Sequence, residues 1–282
     1  MTWFLSLSHI LVFGLLNWGP AQAWGAGGPH VDHFFLVVME NEDPSMVMRS
    51  SFFRELKSQS VYFEQMTGET HPSQPNYIAM VAGDTHGVDN DKNVDLNVEH
   101  LGDLLERKGL DWRSYAEDLP GSCFLGAKNG VYARRHVPFL SFTNVTGNPA
   151  RCAAKIRDFN DLERDLAAGQ VPEFSFITPN NIHNGHDSSV QTTASWLADY
   201  LLPRLKSAPL QRTIVIITYD EGWRLGDNRI ATFLVGEPLR PGLSIHKPAN
   251  HYTLLRMIED EFALGNLGRN DKDAPVVDEI WK

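Results

Sequence analysis

Glu40-Asn41, Ser73, the histidines at 183 and 186, and Asp220-Glu221 are the residues whose types and spacing could do chemistry, and each abuts an apolar run. Glu40 and Asn41 follow His33-Phe-Phe-Leu-Val-Val-Met39, where a carboxylate and a carboxamide are poorly placed for packing and well placed for a cation. Alone, the pair is either a polar turn or half of a metal site. Asp220-Glu221 ends the run Thr213-Ile-Val-Ile-Ile-Thr-Tyr219. Two carboxylates at a buried strand tip are costly through desolvation and mutual repulsion unless a cation neutralises them. His183 and His186 lie with three asparagines and Asp187 on a loop that breaks after Thr178-Pro179. Histidines so placed can bind metal, hydrogen-bond phosphoryl oxygens, protonate a leaving group or serve as structural partners. Ser73, flanked by Pro72 and Pro75, precedes the small-residue helix Ile78-Ala-Met-Val-Ala-Gly83, where backbone N–H groups and the helix dipole favour anions.

Serine is a weak nucleophile that needs a general base or a metal to lower its pKa. No Gly-x-Ser-x-Gly elbow surrounds Ser73, and chain order offers no Ser, Asp, His relay, so metal activation is the better fit. Glu40, Asn41, Asp220 and Glu221 form an oxygen and carboxamide set suited to Mg, Mn, Ca or Zn.

The elements that must hold these residues are runs of β-prone apolar residues at Phe34–Met39, Val61–Phe63, Trp112–Tyr115, Phe174–Thr178, Thr213–Tyr219 and Ala231–Val235. Helical spacing separates them at Val98–Lys108, Val190–Lys206 and Tyr252–Phe262. This alternation predicts an α/β layered domain with a mostly parallel central sheet, whose strand ends gather ligands. Gly121–Arg151 is expected to be a long excursion over the active edge, and residues 265–282 a loosely packed tail or a cover strand.

The 282 residues, 42% hydrophobic and 21% charged, suit one globular domain. Residues 1–23 contain no Lys, Arg, Asp or Glu and end Ala21-Gln-Ala23, the pattern of a signal peptide, leaving 24–32 as a short linker. Secretion, or delivery to a lumen, makes a disulfide between Cys123 and Cys152 expected, with a glycosylation sequon at Asn144 between them. A net charge of −10, with no basic cluster beyond Arg134-Arg135, argues against nucleic acid and anionic membranes as partners. An anionic substrate then needs a local positive centre.

Together, Met39-Glu-Asn41, His71-Pro-Ser-Gln-Pro-Asn-Tyr77, Gly83-Asp-Thr-His-Gly87, Tyr115-Ala-Glu-Asp-Leu-Pro120, Thr178-Pro-Asn180, Gly185-His-Asp187 and Asp220-Glu-Gly222 resemble the phosphoesterase family. It includes secreted acid phosphatases and non-specific phospholipases C, within the alkaline-phosphatase-like superfamily. The resemblance covers 33–264 as one catalytic domain. It implies an α/β/α sandwich with a phosphorylated serine or threonine as intermediate. By matching position, Ser73 is the nucleophile, and Glu40, Asn41, Asp220 and Glu221 hold a divalent ion with the Ser73 oxygen. Asn76 contacts a phosphoryl oxygen, His186 and His136 contact the phosphoryl group or the leaving oxygen, and His251 is a further candidate. The substrate is expected to be a phosphorylated small molecule or phospholipid. Glu42-Asp43-Pro44 replaces the Arg-Ser-Phe-Asp usual in the phospholipases, and Ser73 their threonine. Both departures favour monoester hydrolysis. A phospholipase C or other phosphodiesterase, using an apolar groove of Phe124, Phe139 and Phe142, and an inert secreted binding protein are the alternatives.

Overall fold

The computed structural model describes residues 31–223 and 226–282. The expected signal peptide and residues 24–30 of the linker lie outside the described residues. Eight strands make the main sheet: β1 (His33–Met39), β2 (Val61–Phe63), β3 (Trp112–Ala116), β4 (Ile156–Asp158), β5 (Phe174–Thr178), β6 (Thr213–Tyr219), β7 (Thr232–Gly236) and β8 (Ser244–Ile245). Their order is β8-β2-β7-β6-β1-β5-β3-β4, and only β7 runs antiparallel to its neighbours. This is a mixed α/β fold with a large, mostly parallel central sheet. Phe34 to Met39 are all at most 1% exposed, so both faces of β1 are covered; a strand buried on both sides needs an unbroken apolar run.

The covering helices are α1 (Ser51–Gln59), α2 (Ser73–Ala82), α3 (Leu101–Arg107), α4 (Phe159–Ala168), α5 (Val190–Trp196, continuing through a π-turn at Leu197–Leu201 to Ser207) and α6 (His251–Glu261). Phe53 of α1 stacks on Phe233 at 5.6 Å between centroids, and Phe34 of β1 meets Phe262, just beyond α6, edge-on at 5.4 Å. The 121–151 excursion is built rather than loose. It holds a hairpin at Lys128–Ala133, short helices at Thr143–Thr146 and Pro149–Lys155, and the bonded pair Cys123–Cys152 with Cα atoms 5.6 Å apart. Phe139 and Phe142 are fully buried against Trp112 and His100, so they serve the core and not the apolar groove that the phosphodiesterase alternative would need. Residues 265–282 are packed as well: Asp271, Val277 and Ile280 are buried, and Trp281 bridges to Leu239.

Candidate active site

Parallel register is what brings the two acidic tips together. β1 and β6 are neighbours with Met39 opposite Tyr219, so the next residues, Glu40 and Asp220, leave the sheet side by side. The Asp220 amide donates to Met39 O at 2.9 Å and the Asn41 amide to Asp220 Oδ1 at 3.1 Å. Asn41 adopts a left-handed backbone (φ 48°), which asparagine tolerates better than most residues and which turns the chain sharply off the strand. Glu40 and Asp220 are 0% exposed.

Ser73 is the first residue of α2, after Pro72 as its N-cap, and Pro75 fits the first turn because helix N–H groups there have no intrahelical acceptor. Its hydroxyl donates to Glu40 Oε2 at 3.0 Å, and its proximity moderates the rise at the Asp220 carboxyl. The turn entering the helix is stitched by Asn76, whose Oδ1 accepts from the Glu69 and Thr70 amides (2.8 and 3.0 Å) while Nδ2 donates to Thr70 O and Pro72 O (2.8 and 3.1 Å). Beside it His71 Nδ1 meets Glu221 Oε2 at 2.9 Å. On the other flank Arg135 Nη2 lies 3.0 Å from His186 Nε2, His186 Nδ1 2.6 Å from Asp187 Oδ1, and Arg135 Nε 3.7 Å from Asp91.

Burial raises the Glu40 carboxyl well above its usual range, and neighbouring Asp220 adds to it. Asp220 is pushed up to about 7 by burial, and Glu221 to about 8 by burial together with Asp220 and Asp91. The Arg135 guanidinium opposes the shifts at Glu40 and Glu221, and so is the positive charge that bears on this acidic cluster. His136, buried against Arg135, is held in its neutral form.

A family model described as the Phosphoesterase family matches residues 40–265, from Glu40 through α6. The chain belongs to the phosphoesterase family. A probable acid phosphatase of Kluyveromyces lactis is 32% identical over 89% of this chain and 63% of its own length, and an acid phosphatase of Aspergillus fumigatus 31% identical over 89% and 59%. The chain thus spans less than two thirds of these curated relatives. A phosphatidylinositol-3-phosphatase of Mycobacterium tuberculosis is 29% identical over 96% of this chain and 93% of that protein. Among solved structures, a Vibrio parahaemolyticus protein of the alkaline phosphatase superfamily has the same fold, with a TM-score of 0.61 at 12% identity over 89% of this chain and 71% of that one.

In this member of the phosphoesterase family, Glu40, Asn41, Ser73 and Asp220 converge. Glu221 faces His71 rather than Ser73. Asn76 holds the 69–72 turn through four hydrogen bonds, and its Nδ2 also lies 3.5 Å from Glu221 Oε2. His136 is 1% exposed beneath Glu40, its Nε2 3.3 Å from Oε1, and His251 is fully buried with Nε2 3.1 Å from Tyr219 O. As placed, neither reaches solvent, so both support the site from behind. His186 is the expected histidine left at the surface of the site, its side chain 30% exposed. Asn144 Nδ2 donates to both oxygens of Asp103 at 2.9 Å.

Among the described residues no three His, Cys, Asp or Glu side chains gather closely enough to hold a metal by themselves. The candidate set fits a cation through different donors. Asn41 Oδ1 and Asp220 Oδ2 are buried with no hydrogen-bond partner, and Ser73 supplies a hydroxyl oxygen between the two acids. Unpartnered buried oxygens beside carboxylates are what a hard divalent ion satisfies.

The residues that sequence reasoning passed over are Arg135, His71 and Asp91. Arg135 carried a signal, since an acidic chain acting on an anion needs a local cation, and Arg134-Arg135 is, with Arg107-Lys108, one of its two adjacent basic pairs.

Proposed function

We propose that this protein is a metal-dependent hydrolase of phosphate monoesters that works through a phosphoserine at Ser73. The observation that carries the reading is the placement of Ser73 Oγ at a helix N-terminus, bonded to buried Glu40 and next to Asp220, with Arg135 alongside. Glu40, Asn41 and Asp220, with the Ser73 oxygen, are the proposed ligands of a divalent ion, with Glu221 at the margin. Such an ion, when bound, neutralises the clustered acids and lowers the pKa of the serine hydroxyl.

The residues of the chain do the rest. Ser73 Oγ, aligned by its hydrogen bond to Glu40 Oε2, gives its proton to solvent and bonds to phosphorus as the phosphorus–alkoxy bond breaks. Arg135 holds the phosphoryl oxygens, and the N-terminus of α2 adds its partial positive charge. His186, oriented by Asp187, gives a proton to the departing alcohol and afterwards takes one from the water whose oxygen bonds to phosphorus, as the phosphorus–Oγ bond breaks and Ser73 Oγ regains a proton from solvent. Positioning and charge neutralisation carry most of the rate. The names of the fungal relatives and the burial of Phe139 and Phe142 favour monoesters over lipid diesters. The bonded Cys123–Cys152 pair fits an exported or lumenal protein.

Hydrolysis of p-nitrophenyl phosphate and of its bis ester, before and after chelation, tests the proposal. The monoester is expected to be cleaved at least tenfold faster, with activity lost to chelator and restored by one of Mg, Mn, Ca or Zn. Absence of turnover with all four ions would leave an inert binding protein as the correct reading.

A further inference from the structure

Glu40 has two oxygens, and the fold treats them differently. Oε2 accepts from Ser73 at 3.0 Å, while Oε1 accepts from the Tyr77 hydroxyl at 2.5 Å and lies 3.3 Å from His136 Nε2. Ser73 and Tyr77 are four residues apart on α2, so one helix face presents both groups to the same carboxylate. We propose that Tyr77 is a positioning residue that pins Glu40 Oε1, leaving Oε2 as the oxygen Glu40 offers to Ser73 and the divalent ion. The inference rests on the metal site proposed above.

Packing alone does not call for this hydroxyl. Tyr77 is 0% exposed on a helix whose ten residues are all buried, and a buried O–H is costly unless paired, so phenylalanine would fill the space at lower cost. The ring is itself fixed, stacked on His136 at 5.1 Å and 22° and tilted against Phe176 at 6.1 Å. His136 in turn is held through its backbone oxygen, which accepts from Thr178 Oγ1 at 2.9 Å, and through Asn184 Nδ2, 3.5 Å from its Nδ1. Strand end, helix and excursion therefore meet on a single carboxylate oxygen. A ligand fixed in this way loses little freedom when it binds a cation, which is how outer partners of a metal site raise affinity.

The test is Tyr77→Phe, which removes one oxygen and keeps the ring. Manganese affinity is measured by titrating metal-depleted protein at one pH, with thermal melts of the metal-depleted forms to verify folding. Tyr77→Phe is expected to bind manganese roughly 10–100-fold more weakly, the usual effect of losing an outer-sphere partner, and to lower kcat while the KM for p-nitrophenyl phosphate moves less than about threefold. Phe176→Leu, which loosens the packing around the ring and keeps the hydroxyl, is expected to lower the melting temperature and leave manganese affinity within about twofold. Unchanged affinity in folded Tyr77→Phe, or equal weakening in both variants, would overturn the role of Tyr77. A wild-type protein that takes up no manganese or other divalent ion would overturn the metal site, and this inference with it.

Discussion

Two pairs of buried acids stand in this molecule, and only one of them is equipped as a site. Glu40 and Asp220 leave adjacent parallel strands; Glu259, near the end of α6, faces Asp271 of the short helix Asn270–Asp273. All four residues are 0% exposed. Burial raises Glu40, Asp220 and Glu259 alike, Glu259 to about 9 with help from Asp271 and Asp260. The difference lies in what surrounds them. Asp271 accepts from the Leu267 and Arg269 amides at 2.6 and 2.8 Å, while both Glu259 oxygens are buried with no hydrogen-bond partner. Among the described residues no serine or threonine hydroxyl bonds to either carboxylate of that pair. Glu40 and Asp220 instead stand beside Ser73, whose hydroxyl donates to Glu40, and Asn41 adds a buried amide oxygen without a donor next to them. A raised carboxyl, even with unpartnered oxygens, therefore marks burial, and a serine hydroxyl held against it marks a candidate site.

Ser73→Ala should separate the two pairs most sharply. Turnover is expected to fall by roughly 10⁴-fold or more with the melting temperature nearly unchanged, read by steady-state assay and a thermal scan. Asp220→Asn follows: it should strip the metal, with the ion absent by elemental analysis after dialysis, whereas Glu221→Gln, turned toward His71, should keep it with about tenfold weaker binding. Arg135→Ala is smaller again. A KM for p-nitrophenyl phosphate raised by about 10–100-fold is expected if its guanidinium holds the phosphoryl group.

Glu259→Gln should leave activity within twofold and change only the pH dependence of stability. The folded carboxyl titrates near 9 and the unfolded one near 4.5, so between these values the native state keeps a proton that the unfolded chain releases. Wild-type stability therefore drops as pH rises through that window, by up to about 1.4 kcal/mol per unit from this residue. Glutamine does not titrate, so urea melts from pH 5 to 8 should give a shallower slope for the variant. An equal slope in both proteins would show that the second pair is not proton-linked.

The strands were legible because a strand buried on both faces must be apolar throughout, and Phe34–Met39, Val61–Phe63, Phe174–Thr178 and Thr213–Tyr219 contain no charge to break the pattern. What the sequence could not convey was adjacency. Glu40 and Asp220 are 180 positions apart, and the Met39–Tyr219 register that joins them exists only in the folded sheet. Helix α2 begins at Ser73 and not at Ile78, because proline is tolerated in a first turn. Helices α1 and α4 were not read, although Phe159, Leu162 and Leu166 have helical spacing and are buried. Asn76, His136 and His251 were matched by position, and the contacts that tie them to the 69–72 turn, to Glu40 and to Tyr219 O join residues far apart in the chain or depend on the folded turn, so the sequence does not display them.

The central claim is that Ser73 becomes phosphorylated during turnover. The direct measurement is acid quench of the metal-loaded protein during hydrolysis of a phosphate-labelled aryl phosphate, followed by peptide mapping. The label is expected on the peptide containing Ser73, at up to one equivalent per chain, and absent from Ser73→Ala. Full activity with no label at any quench time, or label on another residue, would contradict the account.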